Sequence, residues 1–156
     1  MVARAWVVGR GEVALDKAAR KPIRDGLLAG ALEDLDQVSL CGSHCPSCGE
    51  TSLGANDVCP NCGGASVSRT PLSRSGTLWT YTVVRHKPPG NYQGPDPFMP
   101  FGLGLVELPD GIRVLSPIDA PPEQLRIGMP LQFHPYVLRT DEGGAEIVAF
   151  SFQPVA

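Results

Sequence analysis

Four cysteines in two close pairs are the strongest chemical signal in the sequence. The pairs are Cys45-Pro-Ser-Cys48 and Cys59-Pro-Asn-Cys62, with ten residues between them. A Cys-x2-Cys spacing lets the backbone turn back so that both thiolates point at one ion, and two pairs complete the tetrahedral sulfur shell that Zn²⁺ prefers. We therefore predict a zinc site with these four ligands. Four sulfur ligands leave no open coordination position, so the metal is expected to be structural rather than catalytic.

Two neighbouring residues, Cys41 and His44, are alternative ligands. A pairing of Cys41 with Cys45 needs a Cys-x3-Cys spacing, which is less regular than the repeated two-residue spacing. We interpret both residues as part of a turn before the metal-binding segment. Iron also accepts four thiolates, and the Cys-Pro-x-Cys-Gly pattern of the second pair resembles the knuckles of rubredoxin. However, residues 40–69 contain no aromatic side chain that would shield a redox-active iron, which favours zinc.

The overall composition argues against a polyanionic partner. The chain has 156 residues, 13 basic and 16 acidic side chains, and a formal net charge of -3, whereas a nucleic-acid groove needs clustered Lys and Arg. Near the N-terminus Arg4 interrupts the short apolar stretch, so no signal peptide or membrane span is predicted. Paired thiols without an export signal fit a reducing compartment, and we predict a cytoplasmic protein. The alternatives are a nucleic-acid-binding zinc-ribbon protein and a rubredoxin-like electron carrier.

Residues 23–35 show a helical repeat. The apolar side chains at spacings of three and four residues are Ile23, Leu27, Leu28, Leu32 and Leu35. This repeat predicts a short amphipathic helix, although two glycines within it weaken the helix. Such a helix is marginal alone, so its apolar face must pack either on the rest of this chain or on another protein. On the second interpretation the partner-binding residues are Ile23, Leu27, Leu28 and Leu32.

From residue 76 onwards the pattern changes to that of β-strands. Alternating β-branched, aromatic and polar residues predict strands at 76–86, 101–108, 112–118, 130–138 and 145–153, with one helical turn in 121–127. Five strands with a short helical connection suit a small closed barrel of the OB type. Residues 87–100 are too rich in Pro and Gly for a strand, yet they contain Tyr92, Phe98 and Met99. A long loop with large apolar side chains either covers a core or binds something.

The order of these motifs resembles a known family. A predicted short helix is followed by Gly42-Ser-His-Cys45-x2-Cys48-Gly and Cys59-Pro-x-Cys62-Gly, and then by Thr77-Leu-Trp-Thr-Tyr-Thr-Val-Val-Arg85. Next come Pro100-Phe-Gly-Leu-Gly-Leu-Val-Glu-Leu-Pro-Asp-Gly-Ile-Arg113 and finally Leu125-x-Ile-Gly-Met129. This order is similar to the zinc-ribbon/OB-fold proteins associated with acyl-CoA metabolism, over about residues 20–156. One departure is residues 51–56, where the family more often carries aromatic residues and prolines.

The resemblance implies a fold and a role. The fold is mainly β: an N-terminal helical segment (1–40), a rubredoxin-like zinc ribbon (41–69) and a five-stranded OB-fold barrel (70–156). The role is a non-catalytic accessory subunit of a thiolase-fold enzyme, in a hetero-oligomer that supports assembly and acyl-CoA handling. Thiolysis of a β-ketoacyl-CoA in aromatic or sterol side-chain degradation is one setting. The residues expected near CoA are Arg85, Lys87, Tyr92 and Phe98.

The residues themselves do not assemble a catalytic site. A hydrolase or transferase needs a nucleophile with a base, a carboxylate pair or an open metal. Only three histidines are present, at His44, His86 and His134, and none has an evident partner in the sequence. We interpret His134 as a structural residue within a strand. No catalytic residue is therefore predicted in this chain, and the cysteine and histidine chemistry is expected to come from the partner enzyme.

Overall fold

The structure is a computed structural model that describes residues 18–156, and its regular elements are ten β-strands and two short 3₁₀ turns. Residues 1–17 of the predicted N-terminal extension lie outside the described residues. The strands are β1 (Arg20–Pro22), β2 (Leu28–Ala29), β3 (Ser39–His44), β4 (Thr51–Leu53), β5 (Ser68–Pro71), β6 (Ser75–Val84), β7 (Phe101–Glu107), β8 (Arg113–Ile118), β9 (Pro130–Thr140) and β10 (Glu146–Pro154). Two short 3₁₀ turns occupy Leu35–Gln37 and Pro122–Gln124.

Strands β6 to β10 form the closed five-stranded barrel that the sequence predicts. β6 pairs with β7, β7 with β8, β8 with β10, β10 with β9, and β9 returns to β6. All of these pairings are antiparallel except that of β8 with β10, which joins Ile118 and Phe152 in parallel. Closure leaves the barrel without a free sheet edge. The prediction of a five-stranded barrel is therefore confirmed.

The barrel interior holds the main hydrophobic core. Leu78, Val106, Phe133 and Phe152 are each at most 2% exposed. The Phe133 ring centre lies 5.7 Å from that of Phe152, in an edge-to-face arrangement that aromatic pairs prefer. Burying a side chain of this size stabilises the fold by about 1.5–3 kcal/mol relative to exposure. Because successive residues of a strand point to opposite faces, burial of these side chains also determines which residues lie on the barrel surface.

The predicted helix at residues 23–35 is wrong. Within this segment the chain leaves β1, turns, and forms β2, whose Leu28 pairs with Leu40 of β3. Gly26 and Gly30 adopt φ values of 74° and 99°, which an α-helix cannot accommodate and which an L side chain rarely adopts. The helical spacing of the leucines arises from two short strands and their turns. No α-helix occurs anywhere in residues 18–156.

The leucines of this segment pack on the chain's own core. Leu27 is buried at 7% exposure, and Leu28 and Leu32 are partly buried against the same hydrophobic cluster. Ile23 is the most exposed of the four residues predicted to bind a partner, at 47%. The apolar repeat therefore reflects internal packing to a large extent, which is one of the two outcomes that the sequence left open.

The second sheet forms the ribbon. β3 pairs with β2 at its beginning and with β4 and β5 on its two sides further along. The backbone of Ser73 donates to the Asp110 carboxylate at 2.8 Å, which ties the ribbon exit to the β7–β8 turn. The Arg74 guanidinium donates to the Val38 carbonyl at 2.8 Å and to the Asp36 carbonyl. The division of the chain after residues 40 and 69 stays a prediction.

The first strand is attached to the last one. β1 runs parallel to β10, with Arg20 opposite Glu146. Arg20 Nε donates to Glu146 at 2.7 Å, and the side chains are only 19% and 30% exposed. Lys21 Nζ lies 3.2 Å from Asp141 in the β9–β10 turn.

Within residues 18–156, no helix has the length and apolar character needed to cross a membrane.

Candidate metal centre and barrel groove

Two tight turns of the same geometry present the cysteine pairs. The N–H of Cys45 donates to the carbonyl of residue 50 at 2.9 Å, and the N–H of Cys59 donates to the carbonyl of residue 64 at 2.8 Å. Inside these loops the N–H groups of Gly49 and Gly63 donate back to the cysteine carbonyls at 2.8 and 2.9 Å. Both glycines have positive φ, 78° and 76°, so a larger residue would strain each turn. The sequence places glycine where the turn requires it.

The four sulfur atoms converge. All lie within 4.8 Å of one another, with Cys45 Sγ 3.6 Å from Cys62 Sγ and Cys48 Sγ 3.7 Å from Cys59 Sγ. Zn–S bonds of about 2.3 Å in a tetrahedron place sulfurs about 3.8 Å apart. Cys45 and Cys59 are buried while Cys48 and Cys62 are exposed. The four residues therefore fit one tetrahedral metal ion, with no position left for a substrate.

The electrostatics of the cluster favour a cation. The backbone N–H of Cys48 points at the Cys45 sulfur and is the main reason that the pKa of Cys45 falls to about 6. The pKa of Cys48 is also lowered, chiefly by the backbone N–H of Glu50. The N–H of Gly64 favours the Cys62 thiolate, but the neighbouring sulfurs of Cys45 and Cys48 outweigh it and raise the pKa of Cys62 to about 12. Backbone N–H groups thus favour thiolates within the cluster, and a divalent ion would neutralise their negative charge.

Cys41 and His44 lie apart from this cluster. Cys41 is buried in β3, and its Sγ faces the carbonyl of Gly42 at 3.7 Å. His44 is exposed, and its Nδ1 lies 3.2 Å from Thr51 Oγ1. Among the described residues, the group of candidate metal ligands consists of the four paired cysteines.

The ribbon tip is held by a serine that the sequence analysis did not single out. Ser43 is 1% exposed, and its hydroxyl donates to the Gly54 carbonyl at 2.6 Å while accepting from the Asn56 N–H at 2.8 Å. The Asn56 side chain adds a hydrogen bond to Ser52 at 3.0 Å. This polar network occupies the part of the ribbon where aromatic residues and prolines were expected. The cluster of small polar residues in 51–56 was the available signal.

A groove of about 1120 Å³ lies on the barrel, between the loop 87–100 and the outer side of β9. Arg85 and Tyr92, two of the four residues expected near CoA, line it. Phe98 instead packs edge-on against Tyr92, with ring centres 5.7 Å apart. Lys87 is exposed and is not part of the groove wall. The structure therefore brings half of this predicted set to one cavity.

The long loop is anchored by aromatic contacts. Tyr92 stacks on Phe101 of β7 at 6.4 Å between ring centres, and Phe98 meets Phe101 at 6.3 Å. These three rings hold the proline-rich loop against the start of β7. Tyr92 and Phe101 thereby form part of one wall of the groove.

Two outward-facing residues of β9 form the opposite side. His134 and Tyr136 both line the groove, and their rings stack at 6.0 Å. Burial, with a smaller contribution from the Asp119 carboxylate, raises the pKa of Tyr136, so its phenol stays protonated at neutral pH. Sequence reasoning gave His134 a structural role and passed over Tyr136. Alternation along β9, with Phe133 inside, was the signal that could have placed both rings outside.

Similarity to known proteins agrees with this architecture. The family described as ChsH2, C-terminal OB-fold domain matches residues 69–134. The chain is 29% identical over 122 residues to a DUF35 domain-containing scaffold protein of Pyrococcus furiosus, covering 77% of this chain and 86% of that protein. It is 23% identical over 117 residues to benzoylsuccinyl-CoA thiolase subunit BbsA of Thauera aromatica, covering 74% of this chain and 76% of that subunit.

A solved structure has the same fold. A chain of the Ltp2-ChsH2(DUF35) aldolase superposes with a TM-score of 0.57 at 24% identity, covering 76% of this chain and 86% of that one. The resemblance predicted from the sequence motifs is thus confirmed, and residues 69–134 are similar to the ChsH2 C-terminal OB-fold domain family.

Proposed function

We propose that this chain is a non-catalytic, zinc-binding accessory subunit of a thiolase-fold enzyme that acts on acyl-CoA. The observation that carries the proposal is the similarity to a scaffold protein and to thiolase subunits, which extends over about three quarters of the chain. A third relative, 22% identical, is the corresponding thiolase subunit of Geobacter metallireducens. Because several relatives are named as parts of larger assemblies, a partner enzyme is the simplest explanation of the shared architecture.

Zinc is the metal that we propose for the four-cysteine cluster. The sulfur separations of 3.6 and 3.7 Å support a tetrahedral ion, and the lack of aromatic shielding in residues 40–69 disfavours redox iron. Zinc would hold the two turns together and thereby stabilise the ribbon. Since its shell is closed, it supports structure rather than catalysis.

Replacement of the ligands tests the metal site. Cys45→Ser is expected to lower the zinc content well below one ion per chain and to unfold the ribbon, because metal binding and folding are coupled in so small a module. Cys41→Ser is the matched control, since Cys41 is buried in β3 apart from the cluster and its sulfur faces a carbonyl. Metal analysis of the purified variants decides the matter. Retention of zinc by the Cys45 variant together with its loss from the Cys41 variant would overturn the assignment.

The barrel groove is the place where we propose that the acyl-CoA is handled. Arg85 offers a cation for a phosphate, and Tyr92 and Met99 offer apolar surface along the same wall. Lys87 and Phe98 complete the set predicted to lie near CoA, and the loop 87–100 would reach towards the substrate entrance of the partner. Thiolysis of a β-ketoacyl-CoA in aromatic or sterol side-chain degradation is the reaction class that we propose for the complex.

The remaining proposals follow from the same role. The free cysteines of the described chain suit a reducing compartment, so we propose a cytoplasmic complex. Ile23 keeps enough exposed surface for the partner contact predicted from the sequence, while Leu27, Leu28 and Leu32 contribute less because they also pack internally.

Co-purification tests the function. The tagged chain, expressed in its native host, is expected to retain an untagged thiolase-fold enzyme that mass spectrometry identifies. The complex is expected to turn over an acyl-CoA, and the isolated chain is expected to have no thiolase, acyltransferase or hydratase activity. Steady turnover by the rigorously purified chain, abolished by a single change such as His86→Ala, would contradict an accessory role.

A further inference from the structure

The outer face of the β7–β8 hairpin carries large apolar side chains. In an ordinary barrel strand the apolar side chains point inward and the polar ones outward. In β7, however, Gly102 and Gly104 are buried, and the alternating residues Leu103 and Leu105 lie on the outer side. A Cβ built on Gly104 would come within 2.6 Å of a Leu78 methyl group, so this position does point into the core. Leu103 and Leu105 therefore face away from the core, whereas Val106 of the same strand is buried in it.

The partner strand β8 adds apolar side chains to the same outer face. In β8, Ser116 is fully buried while Leu115 is 60% exposed. The register pairs Leu105 with Leu115 and Leu103 with Pro117, so the outward residues form two apolar cross-strand pairs. Side chains in such pairs contact each other and make a continuous surface. A contiguous exposed apolar surface often marks an interaction site, whereas single exposed apolar side chains are normal.

A tryptophan extends this surface. Trp79 lies where the β6–β7 register shifts, and it is 46% exposed. The Arg113 guanidinium lies 4.0 Å from the Trp79 ring centre, and its Nε donates to Glu107 at 2.8 Å. The charged groups at this edge are thus already paired, so covering them would leave no isolated charge. We define the hairpin face as Trp79, Leu103, Leu105, Leu115 and Pro117.

We propose that the hairpin face is the surface on which the thiolase-fold enzyme docks. This inference rests on the proposed function and adds the location of the interface. The occupant follows from continuity with the groove: Pro117 of β8 belongs to both, and Phe101 of β7 lines the groove as well. An enzyme that shares a substrate with the groove must lie against its rim, and from there it covers the hairpin face.

Other occupants fit less well. A second copy of this chain would account for the apolar side chains but not for the continuity of the hairpin face with the groove. A nucleic acid needs unpaired cations beside the aromatic residue, whereas Arg113 is already engaged by Glu107. Both alternatives become outcomes of the test.

The test places a charge in the centre of the hairpin face. Leu115→Asp is expected to weaken binding to the co-purified thiolase-fold enzyme at least 100-fold in a biolayer interferometry titration, because a buried carboxylate would be left unpaired. Trp79→Ala introduces no charge and is expected to weaken binding at least tenfold. Val155→Asp is the matched control: this residue is 51% exposed and follows β10, so its change should leave the affinity within about twofold. Circular dichroism and zinc content verify that each variant is folded.

Each outcome decides between the two claims. If the wild-type chain binds no thiolase-fold enzyme, the proposed function fails, and the docking site fails with it. If the wild type binds and both Leu115→Asp and Trp79→Ala bind at full strength, only the docking site is overturned. Sedimentation of the isolated chain distinguishes a second copy: self-association that Leu115→Asp abolishes would assign the face to a homodimer and overturn the proposal. An oligonucleotide shift at low salt that Trp79→Ala abolishes would overturn it in favour of nucleic acid.

Discussion

Removal of the Arg74 side chain should lower the stability of the fold while the metal site keeps its zinc. Arg74 donates to the buried end of the ribbon at the Val38 carbonyl, 2.8 Å away, and its guanidinium lies 5.6 Å from the Phe133 ring centre. Its bond to the Asp36 carbonyl is exposed, so water can replace it at little cost. A hydrogen bond from a charged group contributes about 1.5–3 kcal/mol, and a cation–π contact near the surface adds about 0.5–1 kcal/mol. Arg74→Ala should therefore lower the free energy of unfolding by about 2–4 kcal/mol.

Urea denaturation of the zinc-loaded protein measures this loss. With a slope of about 2 kcal/mol/M, the midpoint should fall by about 1–2 M. Arg74→Lys should lose about half as much, because one ammonium group cannot reproduce the planar guanidinium fork. Arg126→Ala is the control, since that exposed side chain bonds only to carbonyls within three residues of it. A midpoint shift no larger than that of the control would refute the reasoning, as would loss of zinc from the folded Arg74 variant.

Two further changes test the barrel and its last turn. Gly76→Ala should destabilise the fold by about 1–3 kcal/mol in thermal or urea unfolding, since its Cβ would come within 2.6 Å of a valine methyl group; Gly143→Ala, whose nearest contact would be 3.4 Å away, is the neutral control. The pKa of Asp141 is lowered, first by the backbone N–H of Ala145 and then by Lys21. The wild type should therefore melt above Asp141→Ala at neutral pH. The difference in melting temperature has its full size above the ordinary carboxyl pKa of about 4. It shrinks as the pH falls from there through the lowered pKa of Asp141. A difference in melting temperature that persists unchanged down to pH 2 would contradict this origin.

The sequence was most informative where one period or one spacing determines the structure. The five barrel strands were predictable because alternating residues such as Leu131 and Phe133 must share the interior face. The cysteine cluster was predictable because each Cys-x2-Cys pair is closed by its own local turn, in which a glycine supplies the positive φ. These features depend on residues close together in the chain.

The features that the sequence did not reveal depend on distant contacts. The leucines around residue 28 have helical spacing because β2 and its turns place Leu27 and Leu32 against one core. The pairing of Leu28 with Leu40 of β3 shows that the segment is a strand, and that pairing cannot be read from the local sequence. The Ser43 network joins residues eleven and thirteen positions apart. The groove requires the loop at Tyr92 to meet a strand more than forty residues later. No local sequence pattern encodes contacts between residues so far apart. The contact with CoA stays a prediction.

The pairing of β1 with β10 imposes an order on biosynthesis. The ladders of the ribbon connect strands that all lie between Leu28 and Pro71, so they can form once that length has left the ribosome. β1, although it is made earlier, pairs with residues 146–148 and must wait for nearly the whole chain. At synthesis rates of about 5–20 residues per second, that interval lasts several seconds. During this time the metal-binding half can mature while Arg20 still lacks Glu146, so the first described strand is among the last to reach its native neighbour.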